Sequence, residues 1–386
     1  MKVTISVGGR FHAFSLAQQL LKQEYLAWLI TSYPKFEVVK YGIPREKIRS
    51  VLVKELVERG WRKLPSSLKN LYDPQYLIND TYDVLAKKYI DPKSDIFVGW
   101  SSFSLHSLRR AKRMGVIGIV EHCSSHIQYN VAILKEEYDR FGLKPELTHP
   151  KNIEKELQEY KEADYISIPS LFVKRTFLEK GIPESKLIHV PYGVDLSQFK
   201  QVPKEDNVFR VVFAGGMTLR KGVHYLLQAF AELKLPNSEL LLLGTMNPEM
   251  EPFFRKYEGN FRHTGHIPQR ELYKYYSSGS VFVLASIEEG LAYVQAQAMA
   301  CGLPVVATTN TGGEDIIRDG QDGFIIPIRD VEKLKEKLVY LYEHPDVREA
   351  MGRSAKERVS SGFTWDDYGD KMISEYERIL RSKNHA

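Results

Sequence analysis

Short apolar runs alternate along the chain with stretches whose apolar positions recur every three or four residues. The runs at 2–8, 25–33, 94–101, 116–124, 164–170 and 186–193 read as strands of the first half, and those at 209–214, 239–244, 261–267, 280–286, 303–309 and 323–327 as strands of the second. Strands this continuously apolar are buried on both faces, as in parallel sheets. Between two of them, Val223, Leu226, Leu227, Phe230 and Leu233 have the spacing of an amphipathic helix over 222–234. The alternation predicts an α/β chain of parallel sheets with helices on both faces. At 386 residues the chain exceeds one ordinary core, so two doubly wound, Rossmann-like domains are expected. The polar segment 196–210, which carries Pro203, reads as the linker. Two such domains make a cleft at the ends of their strands, where open sheets of this kind bind ligands. The stretch 44–93 is the least regular, and the pattern assigns it no topology.

Composition narrows the class. A chain with 43% hydrophobic and 27% charged residues is expected to be soluble and globular. Cys123 and Cys301 give no disulfide framework and fit a reducing compartment. The start MKVTISVGG enters a strand pattern directly, and no apolar run approaches a membrane span, so a cytoplasmic location is expected. The net charge of +5 is uneven: residues 1–113 hold 20 Lys+Arg against 10 Asp+Glu. Such an excess suits an acidic partner: a phospholipid surface, a lipid-phosphate acceptor or an anionic glycan. Nucleic acid is not expected, because no nucleic-acid module is present. Two basic clusters stand out, Arg59 and Lys63 with Arg62 beside Trp61, and Arg109, Arg110, Lys112 and Arg113. Basic and aromatic surface together suits an anionic bilayer, while a plain solvated surface explains the same charges.

The run SIEEGLAYVQAQAMACGLPVV, 286–306, carries the most chemistry. It reads as a strand ending at Ser286, a polar turn with Glu288, Glu289 and Gly290, and a helix closed by Gly302 and Pro304. A strand, a glycine turn and a helix start form an anion site, because free N–H groups point outward there. Glu289 would stand at its mouth and accept from hydroxyls, with Gln297 two helical turns later on nearly the same face. An ordinary βα unit with a charged turn fits the segment equally well. In VVFAGGMTLRKGVHYLLQAF, 211–230, glycines and then Arg220 and Lys221 precede a helix. Fixed cations aimed at the same cleft would stabilise a departing nucleoside diphosphate, the alternative for Arg220 being a solvated helix start. Gly8 and Gly9 follow the first strand and let a ligand or the opposite domain approach the backbone. VGGRFHAF lacks the G-x-G-x-x-G spacing, which disfavours a dinucleotide-binding dehydrogenase. In IVEHCSSHIQ, 119–128, His122 and His126 stand near Glu121 and Cys123. A ligand-contacting histidine, a structural one and zinc are all open, although four donors within six residues cannot all point at one ion.

Together these segments resemble the family 4 retaining glycosyltransferases, which have the GT-B fold. The segment from Glu289 matches the family's E-x7-E, with Gln297 where the family's second Glu contacts the donor ribose. An amide still donates and accepts there, more weakly than a carboxylate. PYGVDLSQF, TNTGGEDIIRDGQDGFIIP and FRHTGHIP match further landmarks. The resemblance implies that the backbone near Ile267 reads the nucleobase, and that Gly290, Leu291 and Ala292 belong to the donor site. It also implies that the Gly8–Gly9 loop faces acceptor and donor phosphates, and that His122 touches the donor sugar with His126 close by. Gly216 stands where the family has an arginine, and Arg220 would supply the missing charge from another angle. The implied domains are 1–197, joined by a C-terminal crossover helix over 363–386, and 198–362 for the nucleotide sugar. The expected activity is transfer of a sugar from a nucleotide-diphosphate sugar to a glycan, glycolipid or lipid-phosphate acceptor with retention, without metal or cofactor. The alternatives are an epimerase or hydrolase on the same fold, and a nucleotide-sugar-binding protein with weakened catalysis, which the residues at Gly216 and Gln297 would favour.

Overall fold

Two all-parallel sheets position everything that follows. The computed structural model describes residues 1–65, 73–145 and 147–384, and only the backbone of Arg62 and Asn384. Among the described residues the first sheet has strands β1 (Val3–Val7), β2 (Leu26–Thr31), β3 (Ile48–Ser50), β4 (Ile96–Trp100), β5 (Ile117–Glu121), β6 (Tyr165–Ile168) and β7 (Leu187–His189). Their order is β3-β2-β1-β4-β5-β6-β7. The second has β8 (Phe209–Ala214), β9 (Ser238–Leu243), β10 (Arg262–His263), β11 (Val281–Leu284), β12 (Val305–Thr308) and β13 (Gly323–Ile326), ordered β10-β9-β8-β11-β12-β13. All residues of β1, β4, β5, β8 and β11 are buried, which is why they read as mainly apolar runs, with Thr4, Ser6, Glu121 and Arg210 the buried exceptions. The chain is therefore α/β, with two parallel-sheet, Rossmann-like domains.

The sequence pattern overstates or misses several elements. β3 is a three-residue edge strand, Ile-Arg-Ser, too short and polar to register as an apolar run. The expected strand 261–267 is cut to Arg262–His263, because Gly265 turns the chain at φ 73° and Pro268 follows. β7 stops at His189, and β8 already begins at Phe209, inside the segment read as linker.

In each sheet the direction of strand addition reverses once, between β1 and β4 and between β8 and β11. Ligand crevices form outside the carboxyl ends of strands at such points. The loops there are Gly8–Gly9, Ser101–Ser104, Gly215–Thr218 and Ala285–Ala292. Two crossings join the sheets side by side: the Val194 amide donates to the Phe363 carbonyl at 2.8 Å. A Cβ on Gly193 would lie 2.4 Å from the Thr364 carbonyl oxygen, so the crossings touch backbone to backbone. The last helix, Trp365–Asn384, then lies on the first domain with Tyr368, Met372, Tyr376 and Ile379 buried. Gln19 Nε2 donates to Asp366 at 2.9 Å, and Lys383 Nζ to the Gly115 carbonyl at 2.6 Å.

Candidate functional site

The helix Val223–Leu233 begins at Gly222, whose φ of 64° suits glycine. A Cβ there would stand 1.8 Å from the Ala285 carbonyl oxygen, so only glycine lets this helix start abut the end of β11. That close approach sets Arg220 and Lys221 against the turn after β11. Ile287 N donates to the Arg220 carbonyl at 2.8 Å, and Glu289 N to the Asn310 carbonyl at 2.8 Å. Asn310 Nδ2 donates back to the Ile287 carbonyl at 3.0 Å. The turn is thus held from both sides.

The two glutamates of that turn are not on a solvated surface, as a polar turn suggests: both are buried. Arg220 Nη1 lies 2.8 Å from Glu289 Oε1 and donates to the Glu288 carbonyl at 3.0 Å. Lys221 Nζ pairs with the same Glu289 oxygen. Burial works against the charge on Glu289, but Lys221 and Arg220 outweigh it and hold its carboxyl below the usual range. Two cations and two carboxylates therefore meet at one strand end, where they can bind phosphate and read hydroxyls.

The first domain closes directly over this turn. Glu288 Oε1 accepts from Ser124 Oγ at 2.6 Å, Ser125 N at 3.0 Å and Ser125 Oγ at 2.8 Å. Ser170 Oγ donates to the Gly290 carbonyl at 2.6 Å. A Cβ on Gly290 would lie 1.9 Å from the Cys123 carbonyl oxygen, which explains a glycine at that point. Farther along the cleft, Glu137 accepts from His224 Nε2 at 3.0 Å and from Arg329 Nε at 2.6 Å.

The other expected residues fall as follows. Gly8 packs its backbone under the Phe103 ring, and Gly9 O accepts from Thr31 Oγ1 at 2.9 Å. Gly216 is exposed, and no atom lies within 4 Å of where its side chain would begin. Leu291 and Ala292 are buried just ahead of the helix Tyr293–Ala300. Because that helix starts at Tyr293, Glu289 lies outside it, and the expected shared helical face with Gln297 does not exist. Gln297 is buried, its Oε1 3.4 Å from the Tyr276 hydroxyl. Ile267 is half-buried in the loop after β10 rather than at a strand end.

His122, expected against a sugar, is turned inward. Its ring packs on Tyr160 and Phe177, and Nε2 lies 2.9 Å from the Ser125 carbonyl, so it buttresses the serine loop. His126 caps the helix Ile127–Arg140, accepting from Gln128 N, and burial, with His122 and Lys180 nearby, pulls its pKa down to about 4. A shared zinc site is excluded by direction: Glu121 and Cys123 point instead to His12. Among the described residues no three His, Cys, Asp or Glu side chains converge on a metal-sized site.

His12 was not legible beforehand, and only the fold brings it to Glu121 and Cys123. Its Nε2 is 3.1 Å from Glu121 Oε2, its Nδ1 is 3.9 Å from Cys123 Sγ, and its ring lies 4.4 Å from that of Tyr192. Burial lowers its pKa, but Cys123 and Glu121 overcome that and raise it from 6.5 to about 9. A pKa raised on folding contributes stability that is fully present below about pH 6.5 and lost as pH rises through about 9. Melting temperature is therefore expected to fall across that window by the equivalent of ~1–3 kcal/mol, and His12→Gln to flatten the fall. Thermal melts of both proteins at pH values spanning the window check it.

Comparison with known proteins finds a family model that matches part of the chain, and solved structures of the same fold. Residues 195–358 match the family described as Glycosyl transferases group 1. A GDP-mannose-dependent phosphatidylinositol monomannoside mannosyltransferase of Corynebacterium glutamicum is 24% identical over 245 residues, covering 58% of this chain and 63% of that protein. The chain spans about half to two thirds of the length of such relatives. The sucrose-phosphate synthase of Thermosynechococcus elongatus superposes with a TM-score of 0.74 at 18% identity, over 99% of this chain and 100% of that one. Anabaena HepE, solved with UDP-glucose, superposes with a TM-score of 0.69 at 14% identity over 98% and 100%.

Proposed function

As a member of the group 1 glycosyl transferase family with the GT-B fold, this protein, we propose, moves a sugar from a nucleoside-diphosphate sugar to a hydroxyl acceptor with the anomeric configuration retained. The observation that carries this reading is the meeting of Arg220, Lys221 and Glu289 at the switch point of the second sheet. The two cations take the diphosphate, whose charge grows as the sugar bond breaks, and Glu289 accepts from a sugar hydroxyl. On this reading the loop at Ile267 takes the base and Gln297 the ribose. His122 serves the sugar end through the Ser124–Ser125 loop. In the reaction the acceptor oxygen bonds the anomeric carbon while the phosphate oxygen leaves from the same face and takes the acceptor's proton. Side-chain cations meet the phosphate charge, so we assign no metal. A nucleotide-sugar donor is supported by the UDP-glucose complex of HepE and the GDP-mannose dependence of the corynebacterial enzyme.

Titration calorimetry with UDP and GDP, followed by mass spectrometry of products from a nucleotide-sugar panel, tests the reading. Turnover only with acceptor supports transfer. Turnover without one identifies an epimerase or hydrolase, and binding without turnover a sensor. Gln297→Glu is expected to tighten the donor several-fold, because a carboxylate is the stronger acceptor for ribose hydroxyls, and to lower the ligand-free melting temperature. Loss of donor binding would place the ribose elsewhere.

We assign the acceptor to the first domain, beside a cavity of about 490 Å3 whose lining includes Gly8, Gly9, Arg10 and Phe103, with Lys54 paired to Glu58 and Arg59 to Glu55. Phe11 lines it as well, and Leu52, Leu56 and Val57 are exposed at or on the helix Val53–Arg62, which also carries Lys54 and Arg59. This mix suits a lipid-linked acceptor at an anionic bilayer. The Arg62 side chain lies outside the described residues. The second basic cluster cannot share that surface, because Arg110, Lys112 and Arg113 end the helix Leu105–Arg113, which runs back to the amino end of β5. Co-sedimentation is expected with anionic vesicles at low salt and not with neutral ones. No pelleting at low salt would point to a soluble acceptor.

A further inference from the structure

Glu288 has a place of its own in the closed cleft. It is wholly buried, and it stands in the second domain while all three donors to its Oε1 stand in the first. A buried carboxylate whose hydrogen bonds all cross a domain boundary keeps them only while the boundary is shut. Its other oxygen makes no hydrogen bond and lies 3.5 Å from Arg220 Nη1. Its own carbonyl accepts from the same guanidinium at 3.0 Å. One residue thus touches both the opposing domain and the principal cation of the site.

The rest of the boundary is arranged for opening. The two crossings run side by side at Gly193 and Thr364, and Gly362, at φ 138°, adjoins the second. Many ties farther along the cleft are polar as well: His189 to Asp315 at 2.7 Å, Leu171 N to Asp315 at 2.9 Å, and Arg329 to Glu137 at 2.6 Å. Aromatic contacts join them, Phe141 with His224 and Phe253 and Tyr192 with Tyr293. A partly polar interface between domains of one chain permits relative motion. Opening would expose the Glu288 carboxylate, against which Arg220 rests, to water.

We propose that Glu288 is the latch of the cleft and the positioning residue for Arg220: through Ser124 and Ser125 it holds the two domains shut, and through its second oxygen and carbonyl it aims the guanidinium at the diphosphate position. The latch follows from the cross-domain hydrogen bonds alone. The aiming of Arg220 rests on the donor-binding reading above. In Glu288→Gln the amide nitrogen must face either the Ser125 N–H or Arg220, and both are donors. Ser124→Ala with Ser125→Ala keeps the carboxylate but removes two of its three partners.

Small-angle scattering of the ligand-free protein, repeated with excess UDP and GDP, tests this, with circular dichroism confirming that each variant is folded. Wild type is expected to be compact with or without nucleotide. Both variants are expected to show a larger radius of gyration that returns toward the wild-type value on adding nucleotide, and a nucleotide affinity lower by about tenfold. A purely local structural role would lower the melting temperature without making scattering nucleotide-dependent. Folded variants whose ligand-free scattering equals that of wild type would overturn the latch. Expansion of the variants with no nucleotide binding to wild type would leave the latch standing and remove the donor-binding reading, and with it the aiming of Arg220. Expansion with unchanged affinity would overturn the aiming role alone.

Discussion

Glu289→Ala is expected to reduce transfer by at least about 100-fold, the scale on which loss of one preorganised polar group in a reaction site is felt. The side chain is buried, and its Oε1 sits between Arg220, at 2.8 Å, and Lys221. Two further effects follow from that placement. Removing the carboxylate leaves two half-buried cations short of a partner; because solvent screens Arg220 and Glu288 remains beside it, the cost falls below the ~3–5 kcal/mol of a fully buried pair broken from one side. The ligand-free melting temperature should therefore drop, although a solvated turn would have let the substitution pass unnoticed. The cations then face one carboxylate fewer, with Glu288 still beside Arg220, so UDP or GDP should bind at least as tightly as to wild type and recover part of the lost stability. Transfer assays, melts with and without nucleotide, and calorimetry give the three readouts. Activity within twofold of wild type would remove Glu289 from the site, and an unchanged melting temperature would mean that the ion cluster contributes nothing to the fold.

The fold was legible because buried parallel strands announce themselves. Val281–Leu284 is apolar throughout, and Val3–Val7 and Phe209–Ala214 have no solvent-facing side and carry only Thr4, Ser6 and Arg210 among apolar neighbours. Ile48–Ser50 escaped because an edge strand needs no apolar run, and Arg262–His263 was overextended because apolar content does not show where Gly265 turns the chain. At the site, Arg220, Lys221 and Glu289 were legible as chemistry beside glycines, and the close approach of Gly222 to Ala285 supplies the contact that joins them. The partners of Glu288 were not, since Ser124 and Ser125 lie more than 160 residues away and two serines after a strand carry no signal of their own. For His122 the sequence does not show the direction that the structure gives, its ring packed inward on Tyr160 and Phe177. The side chain of a strand-end residue points to one face or the other, and a one-residue change in where the strand stops reverses it. His12 and Glu121, 109 positions apart, meet only because β1 and β5 flank β4 in the sheet.

The cations give the second large effect, and the structure separates their roles. Lys221 meets Glu289, whereas Arg220 also reaches the Glu288 carbonyl and lies near its carboxylate. Arg220→Ala and Lys221→Ala should each weaken UDP or GDP by ~1.5–3 kcal/mol, the range for a charge-assisted hydrogen bond, or roughly 10- to 150-fold in affinity. Gly216 allows a stricter test. It is exposed, with open space within 4 Å of its would-be Cβ, so an arginine enters there without displacing anything. If Arg220 supplies the charge that Gly216 lacks, Gly216→Arg should return most of the nucleotide affinity lost in Arg220→Ala, because phosphate responds to a cation from either direction. It should not restore the ties from Arg220 to the turn, so the melting temperature of the double variant should stay with that of Arg220→Ala. Calorimetry and thermal melts on the four proteins separate the two contributions. Nucleotide affinity unchanged in Arg220→Ala would confine Arg220 to holding the Glu288–Glu289 turn and leave Lys221 as the phosphate cation; affinity lost there but not returned by Gly216→Arg would mean that the diphosphate approaches along the Arg220 side, out of reach of the glycine loop.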